Sequence, residues 1–255
     1  MVKAGETYYY YFFDLTNTIH AFTKTMLGEY YNIDCMELMS RYPDKHFDIA
    51  IVDPPYGIGF SNYARIKKGK NISQYEKKKW DSAIPDKEYF SELFRVSKNQ
   101  IVFGGNYFSE LLPSSKSFLI WDKQQHLDNF SQCEYIWTSL NLLPKIFQTN
   151  KLEPYECNIY NTIKRIHPTQ KPIRLYEWIL SICAKPNDLI LDTHCGSASS
   201  LIACENLGFK YVASELDKDY YSQSLQRLKA HLAQGKLFQR VGRDEIRLEQ
   251  PSMFA

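Results

Sequence analysis

Residues 53–56 read Asp53-Pro54-Pro55-Tyr56 and follow the apolar run Ile49-Ala50-Ile51-Val52. Two consecutive prolines fix their own backbone torsions and carry no N–H, so the turn is stiff and cannot donate from Pro54 or Pro55. What it offers is acceptors. The Asp53 carboxylate and the Pro54 carbonyl can both accept from one NH₂ group, while Tyr56 supplies an aromatic face for stacking. That set suits an exocyclic ring amine, whose lone pair is delocalised into the ring and poorly nucleophilic. Two strong acceptors pull such an amine toward tetrahedral geometry and free the lone pair for in-line attack on an electrophile such as a sulfonium methyl. A proline-rich turn beside an incidental aspartate would explain Pro-Pro-Tyr alone; the four residues at a strand end favour the chemistry.

Two further constellations complement the first. Leu189-Ile190-Leu191-Asp192 reads as a buried strand that runs through Thr193-His194-Cys195-Gly196-Ser197-Ala198 into a helix. A small-residue turn there lets backbone approach a cofactor, and the helix N-terminus favours its negative groups. With Gly196 as its one glycine the turn is not a Gly-x-Gly-x-x-Gly dinucleotide fingerprint, which argues against a dehydrogenase. The next strand delivers Glu215, suited to ribose hydroxyls, beside Asp217, which is better suited to capping the following helix. Finally, His167-Pro168-Thr169-Gln170-Lys171-Pro172 forms a stiff entry to a helix, with a hydroxyl and a cation on offer. A plain capped loop would look the same.

The elements that must hold these residues alternate. Strands are expected at 31–33, 47–52, 100–103, 118–121, 135–137, 189–192 and 211–214, and helical patterns at 36–42, 86–96, 173–184, 197–206 and 217–233. Alternation of this kind implies a mainly parallel sheet covered on both faces, with ligands outside the carboxyl ends of the strands. Asp53 and Asp192 both fall at such ends and nominate one cleft. Residues 1–25 fit this scheme poorly: the aromatic run 8–13 has neither a helical nor an alternating period, so a loosely attached extension is expected, with Met26 as an alternative start.

At 255 residues, 44% hydrophobic and 24% charged, the chain suits one large α/β domain that needs no staples. No stretch is apolar enough to span a bilayer, and a cytoplasmic location is expected. The six cysteines include no C-x-x-C pair and no histidine cluster joins them, so no metal site is expected. The net charge of +2 hides a local run: 65–79 holds seven basic residues and one acid, leaving the remainder at −4.

Asp-Pro-Pro-Tyr, then His-Pro-Thr-Gln-Lys-Pro, then Asp-x-x-x-Gly-Ser, in that order, resembles the beta class of DNA amino-methyltransferases, in which the catalytic motif precedes the cofactor motif. The resemblance covers roughly 31–232. It implies a circularly permuted Rossmann-like fold with S-adenosylmethionine as cofactor and a methyl group delivered to the N6 amine of a flipped adenine in double-stranded DNA. It makes Asp53, Pro54, Pro55 and Tyr56 the catalytic loop. Asp192, His194, Gly196 and Ser197 would line the methionine side of the cofactor, Glu215 would hold the ribose and Asp34 would sit near the adenine. Thr169 and Lys171 match the segment that closes over the methionine end. His194 stands where the family usually has another aromatic, and Ala198 where it has a second glycine. Aspartate in the tetrapeptide favours adenine N6; cytosine N4 enzymes more often carry serine there. The competing readings are an N4-cytosine enzyme, a catalytically silent DNA-binding relative, and an RNA or protein amine methyltransferase, whose members tend to have asparagine at this place.

The domain is expected over 26–235. Within it a basic loop, 57–82, would face DNA through Arg65, Lys67, Lys68, Lys70, Lys77, Lys78 and Lys79, with Tyr63, Tyr75 and Trp80 interleaved; a solvated lysine-rich loop is the plainer alternative. Residues 122–166 are the candidate target-recognition segment. So small a reader leaves a homodimer open, since symmetric sites are often read by two-fold partners. The tail 236–255 ends in Gln250-Pro251-Ser252-Met253-Phe254, which resembles a sliding-clamp-binding peptide apart from Pro251.

Overall fold

In the computed structural model the residues described are 8–13, 19–59, 81–125, 131–149 and 166–238. Ten strands form one sheet: β1 (Tyr8–Phe13), β2 (Ile19–Lys24), β3 (Gly28–Tyr31), β4 (Phe47–Val52), β5 (Ser97–Phe103), β6 (Phe118–Asp122), β7 (Cys133–Thr138), β8 (Lys145–Gln148), β9 (Leu189–Asp192) and β10 (Lys210–Ser214). Their spatial order is β1-β2-β3-β10-β9-β4-β5-β7-β6-β8. The central run from β3 to β5 is parallel throughout, and the antiparallel pairs lie toward the two flanks. The expected α/β architecture is present.

Helices cover both faces because the central strands are apolar on both. On one side Ile49, Ile51, Ile101, Phe103, Ile190 and Tyr211 pack under α3 (Ile173–Cys183), α4 (Ser199–Leu207) and α5 (Lys218–Phe238). On the other, Ala50, Val52, Val102, Leu191 and Val212 pack under α1 (Cys35–Ser40) and α2 (Lys87–Val96). Adjacent residues of each strand thus enter opposite cores, as the period of two requires. α2 shows the local logic: Asp86 caps it by accepting from the Tyr89 N–H at 2.9 Å, and Tyr89, Phe90, Leu93 and Val96 form its buried stripe.

The topology places the chemistry. β4 passes its chain outward to β5, while β9, its neighbour through Ile49↔Ile190 and Ala50↔Leu191, passes its chain the other way to β10. The chain therefore diverges between β4 and β9, and a crevice opens beyond their carboxyl ends, the usual ligand position of such sheets. Asp53 and Asp192 stand on its two sides.

Three expectations are corrected. Residues 8–13 and 19–24 are paired antiparallel strands continuing the sheet beyond β3, not a loose extension. Tyrosine and phenylalanine favour strands even without alternation, and cross-strand pairs such as Phe22 with Tyr31, stacked at 4.9 Å, supply the stabilisation that periodicity does not reveal. Thr23 and Thr25, both upstream of Met26, are buried and bond the Tyr221 and Tyr211 hydroxyls at 3.2 and 3.0 Å. The strand expected at 31–33 ends at Tyr31, because β3 is registered on β10 from Gly28 to Tyr31. A Cβ at Gly28 would lie 2.4 Å from the Tyr211 ring, so glycine is what permits this register. β8 was not anticipated, since its largely exposed Lys-Ile-Phe-Gln run carries no apolar face. Of the segment 122–166, the described part includes β7 and β8, which continue the sheet beyond β5. Residues 126–130 and 150–165 lie outside the described residues, as do the seven basic residues of 65–79 and the tail beyond 238. No helix among the described residues is long and apolar enough to cross a membrane.

Candidate active site

A cavity of about 320 Å³ lies beyond the ends of β4, β9 and β10, within the range usual for small-molecule sites. Its walls include Asp34, Asp53, Pro55, Thr169, Lys171, His194, Gly196, Ser197 and Glu215. The three motifs, distant in sequence, therefore meet at one place. Of the residues expected there, Pro54, Tyr56 and Asp192 are not in the cavity wall, although each is next in sequence to or hydrogen-bonded with a residue that is.

The loop after β9 is set by backbone geometry. Gly196 and Ala198 both have positive φ, 53° and 60°, so α4 starts only at Ser199, two residues later than its pattern suggested. Ala198 adopts a left-handed conformation that costs a non-glycine residue about 1–2 kcal/mol, which explains the glycine preferred here by the family it resembles. Arg227 of α5 braces the turn, donating to the Ser197 carbonyl at 2.7 Å and the Ser199 hydroxyl at 2.9 Å. Glu215 closes it from the other side, its two carboxylate oxygens accepting from the Gly196 and Asp217 N–H groups at 2.8 and 2.9 Å. Burial pushes Glu215 up to about 7, against the two N–H donors that favour its anion. Asp217 also caps α5 as anticipated, accepting from the N–H groups of Asp219 and Tyr220 at 3.0 Å each.

Asp192 is buried and is likewise pushed up to about 7 by burial, opposed by bonds from the Ser200 hydroxyl and the His194 N–H. His194 lies edge-on to Tyr89 at 5.3 Å, with Nδ1 2.9 Å from the Thr193 hydroxyl. Burial pulls it down to about 4, so it lines the cavity as a neutral ring at pH 7. The Thr169 hydroxyl bonds Nδ1 of His167 at 3.0 Å, and the His167 ring packs on Tyr220 at 4.4 Å. Asp34 contributes to the wall while capping α1, where it accepts from the Met36 N–H at 2.8 Å. Its placement serves the helix whatever else it binds.

The catalytic-loop side holds a network that sequence reasoning did not reach. Asp53 Oδ2 accepts from Lys171 Nζ at 2.6 Å and Oδ1 from the Tyr56 hydroxyl at 2.7 Å. Lys171 is almost wholly buried and also bonds Glu134 Oε1 at 2.9 Å, with Nζ 4.7 Å from the centre of the Phe103 ring. Glu134 lies 2.6 Å from the Tyr56 hydroxyl and is paired through its other oxygen with Lys123 at 3.1 Å. Two acids and two amines thus neutralise one another in a largely desolvated pocket. Burial would raise Glu134, yet Lys171 and Lys123 hold it down at about 2. Burial raises Asp53, with Lys171 pulling against it and Glu134 adding to the rise. Burial works against the charge on Lys171, but its two carboxylates keep its pKa above the ordinary value. The lysine expected to close over a cofactor thus has its amine turned to Asp53.

Tyr56 is held in place by what is absent beneath it. Gly104 has φ 66°, and a Cβ there would lie 2.4 Å from the Tyr56 ring. Tyr107 stacks on that ring at 4.8 Å and 12°. Glu134 had a readable signal: it shares a strand face with Ile136 and Thr138, both fully buried, so a charge there requires buried partners. Those partners are fixed only by the fold.

A parallel sheet that diverges between two acid-bearing strands, with a small-residue turn facing an Asp-Pro-Pro-Tyr loop, defines the circularly permuted Rossmann-like methyltransferase class. Comparison with known proteins agrees. A family model described as DNA methylase matches residues 115–226. The putative methylase YubD of Escherichia coli (strain K12) is 25% identical over 213 residues, 77% of this chain and 88% of that protein. The type II methyltransferase M2.DpnII of Streptococcus pneumoniae is 23% identical over 239 residues, again 77% and 88%. In fold, the chain is similar to M1.HpyAVI solved as its SAM complex (TM-score 0.52, 20% identity, covering 79% of this chain and 99% of that one). It is also similar to the cytosine-N4-specific PvuII DNA methyltransferase (TM-score 0.55, 15% identity, 83% and 93%). The chain is therefore similar to DNA methyltransferases over about three quarters of its length.

Proposed function

We propose that the protein methylates the N6 amine of adenine in double-stranded DNA, with S-adenosylmethionine as methyl donor. The observation that carries this reading is that Asp53 lines the same cavity as the 193–197 turn and Glu215. The cavity suits the cofactor chemically. Glu215 offers carboxylate lone pairs to hydroxyls, Asp34 lies at the cavity wall, and Gly196 supplies the left-handed φ of 53° that the turn lining the cavity requires. Thr169, Ser197 and neutral His194 complete the wall. When bound, S-adenosylmethionine supplies a sulfonium methyl as the electrophile.

The chain's own residues prepare the nucleophile. A base inside a duplex cannot reach Asp53, so it must be flipped out, at a cost of a few kcal/mol. Asp53 and the Pro54 carbonyl accept the two N–H bonds of the amine and localise its lone pair, and Asp53 is the base to which the surplus proton passes. A carboxylate has about four lone-pair sites, so Asp53 retains capacity beyond its bonds to Lys171 and Tyr56. The residues of 65–79 would add phosphate contacts.

The acceptor set serves adenine N6 and cytosine N4 alike, and the choice of adenine rests on Asp53 standing where serine is commoner in the cytosine enzymes. Labelled methyl transfer to unmodified bacterial genomic DNA, followed by digestion to nucleosides and mass spectrometry, tests both points. N6-methyl-2′-deoxyadenosine is expected from wild type and none from Asp53→Ala. N4-methyl-2′-deoxycytidine would reassign the base, and no labelled DNA would overturn the enzymatic reading.

A further inference from the structure

The Tyr56 hydroxyl has one proton and two carboxylates within reach, Asp53 Oδ1 at 2.7 Å and Glu134 Oε1 at 2.6 Å. It can donate to only one at a time. Lys171, with three protons, spans the same two acids at 2.6 and 2.9 Å and approaches the Tyr56 oxygen at 3.3 Å. Every partner of Asp53 in this network therefore has Glu134 as an alternative acceptor.

We propose that Glu134 is a positioning residue for methyl transfer: by taking the Tyr56 proton and sharing the Lys171 ammonium, it releases Oδ1 of Asp53 for the target amine. The exchange is a rotation of one O–H bond. The proton leaves Asp53 Oδ1 and points to Glu134 Oε1, while the Tyr56 ring keeps its place over Gly104 and against Tyr107. Without Glu134, an entering amine would compete with Tyr56 for Oδ1, and the displaced hydroxyl would be left in a desolvated pocket with no acceptor for its proton. Lys123 completes the arrangement, because its bond to Glu134 Oε2 at 3.1 Å leaves Oε1 for the shared partners.

This inference rests on the proposed transfer to a ring amine, and the experiment separates the two. Wild type, Glu134→Gln, Glu134→Asp, Tyr56→Phe and the double variant Tyr56→Phe/Glu134→Gln are assayed for labelled methyl transfer to unmodified bacterial genomic DNA across pH. Binding of S-adenosylmethionine by calorimetry serves as the folding control. Glu134→Gln is expected to lower kcat by about 100-fold, the cost typical of a misplaced reacting group. Its effect in the Tyr56→Phe background is expected to be several-fold smaller, because the glutamine amide, a weaker acceptor than the carboxylate, then has no Tyr56 proton to hold.

The groups that bear on Asp53 are Lys171, Glu134, Tyr56, Tyr89, Tyr176 and Asp192, with Lys123 acting on Glu134. Removing the Glu134 charge leaves Lys171 to Asp53 alone, so the acid limb of the kcat profile is expected to move to lower pH by about one unit. Glu134→Asp keeps the charge but withdraws the oxygen from Tyr56; it is expected to lose kcat with the acid limb in place, which a general loss of structure would not produce. Wild-type kcat in Glu134→Gln, or losses that multiply fully in the double variant with no movement of the acid limb, would overturn the inference. Wild type that transfers no methyl group would overturn the parent reading with it.

Discussion

Replacing Lys171 by methionine tests the buried network most severely. The change keeps the bulk of the side chain beside Phe103 and removes the cation that lies 2.6 Å from Asp53 and 2.9 Å from Glu134. At an effective dielectric of 20, a charge pair 2.6 Å apart attracts by roughly 6 kcal/mol, most of which offsets the desolvation of the two groups. Loss of one partner from such a pair typically costs about 3–5 kcal/mol, because the other is left charged and buried. Glu134 keeps Lys123, so the stranded charge is that of Asp53. The variant should therefore be about 3–5 kcal/mol less stable at pH 8, or roughly 10 °C lower in Tm for a domain of this size.

The sign of the pH dependence follows. Asp53 is raised by burial with Lys171 opposing; without the opposing cation it rises further. A carboxyl whose folded pKa lies above its unfolded value stabilises the fold while protonated and loses that contribution as pH rises through the folded pKa. The deficit against wild type should accordingly shrink between pH 8 and pH 5. In activity, the acid limb should move upward, since the acceptor form of Asp53 appears only at higher pH. Thermal unfolding and kcat/KM measured from pH 5 to pH 9 provide the check. A variant as stable as wild type at pH 8, or a deficit that grows on acidification, would refute the assignment of Lys171 as counter-ion to Asp53.

Three other outcomes follow from the geometry. Gly104→Ala places a Cβ 2.4 Å from the Tyr56 ring at a φ of 66°; backbone strain and overpacking together should cost about 2–4 kcal/mol in urea unfolding, with a parallel loss of kcat as Tyr56 is displaced. Glu215→Ala removes the acceptor that ties the Gly196 N–H to the end of β10; each such charged hydrogen bond contributes about 1.5–3 kcal/mol, so calorimetric affinity for S-adenosylmethionine should fall at least 10-fold. If 65–79 binds phosphates, replacing Lys77, Lys78 and Lys79 with alanine should shallow the slope of log K for DNA against log salt by about 0.9 for each phosphate no longer neutralised, and an unchanged slope would remove the loop from the interface.

Much of this protein can be read along the chain. Alternating apolar runs and helical stripes announce an α/β sheet covered on both faces, because each element must bury its own apolar side and the two periods differ. The Asp-Pro-Pro-Tyr turn declares acceptors without donors, since proline lacks an N–H wherever it stands. The Asp192 turn declares a close backbone approach for a comparable reason: Gly196 reaches positive φ without penalty. These are properties of residues and their immediate neighbours, and they hold before any tertiary contact forms.

Pairing partners are another matter. Strand periodicity says which face is buried but not which strand lies alongside, so only the fold shows that β4 and β9 are neighbours and that residues 8–13 and 19–24 extend the sheet. Desolvation is likewise collective. Lys171 reads along the chain as a cation at a loop end, and Glu134 as one acid in a strand; burial between β5, β7 and the Asp53 loop turns them into a counter-ion and an alternative acceptor. The sequence by itself determined which groups can do the chemistry. The tertiary structure decided which of them share protons, because that depends on distances of 2.6 to 3.3 Å between residues up to 118 positions apart.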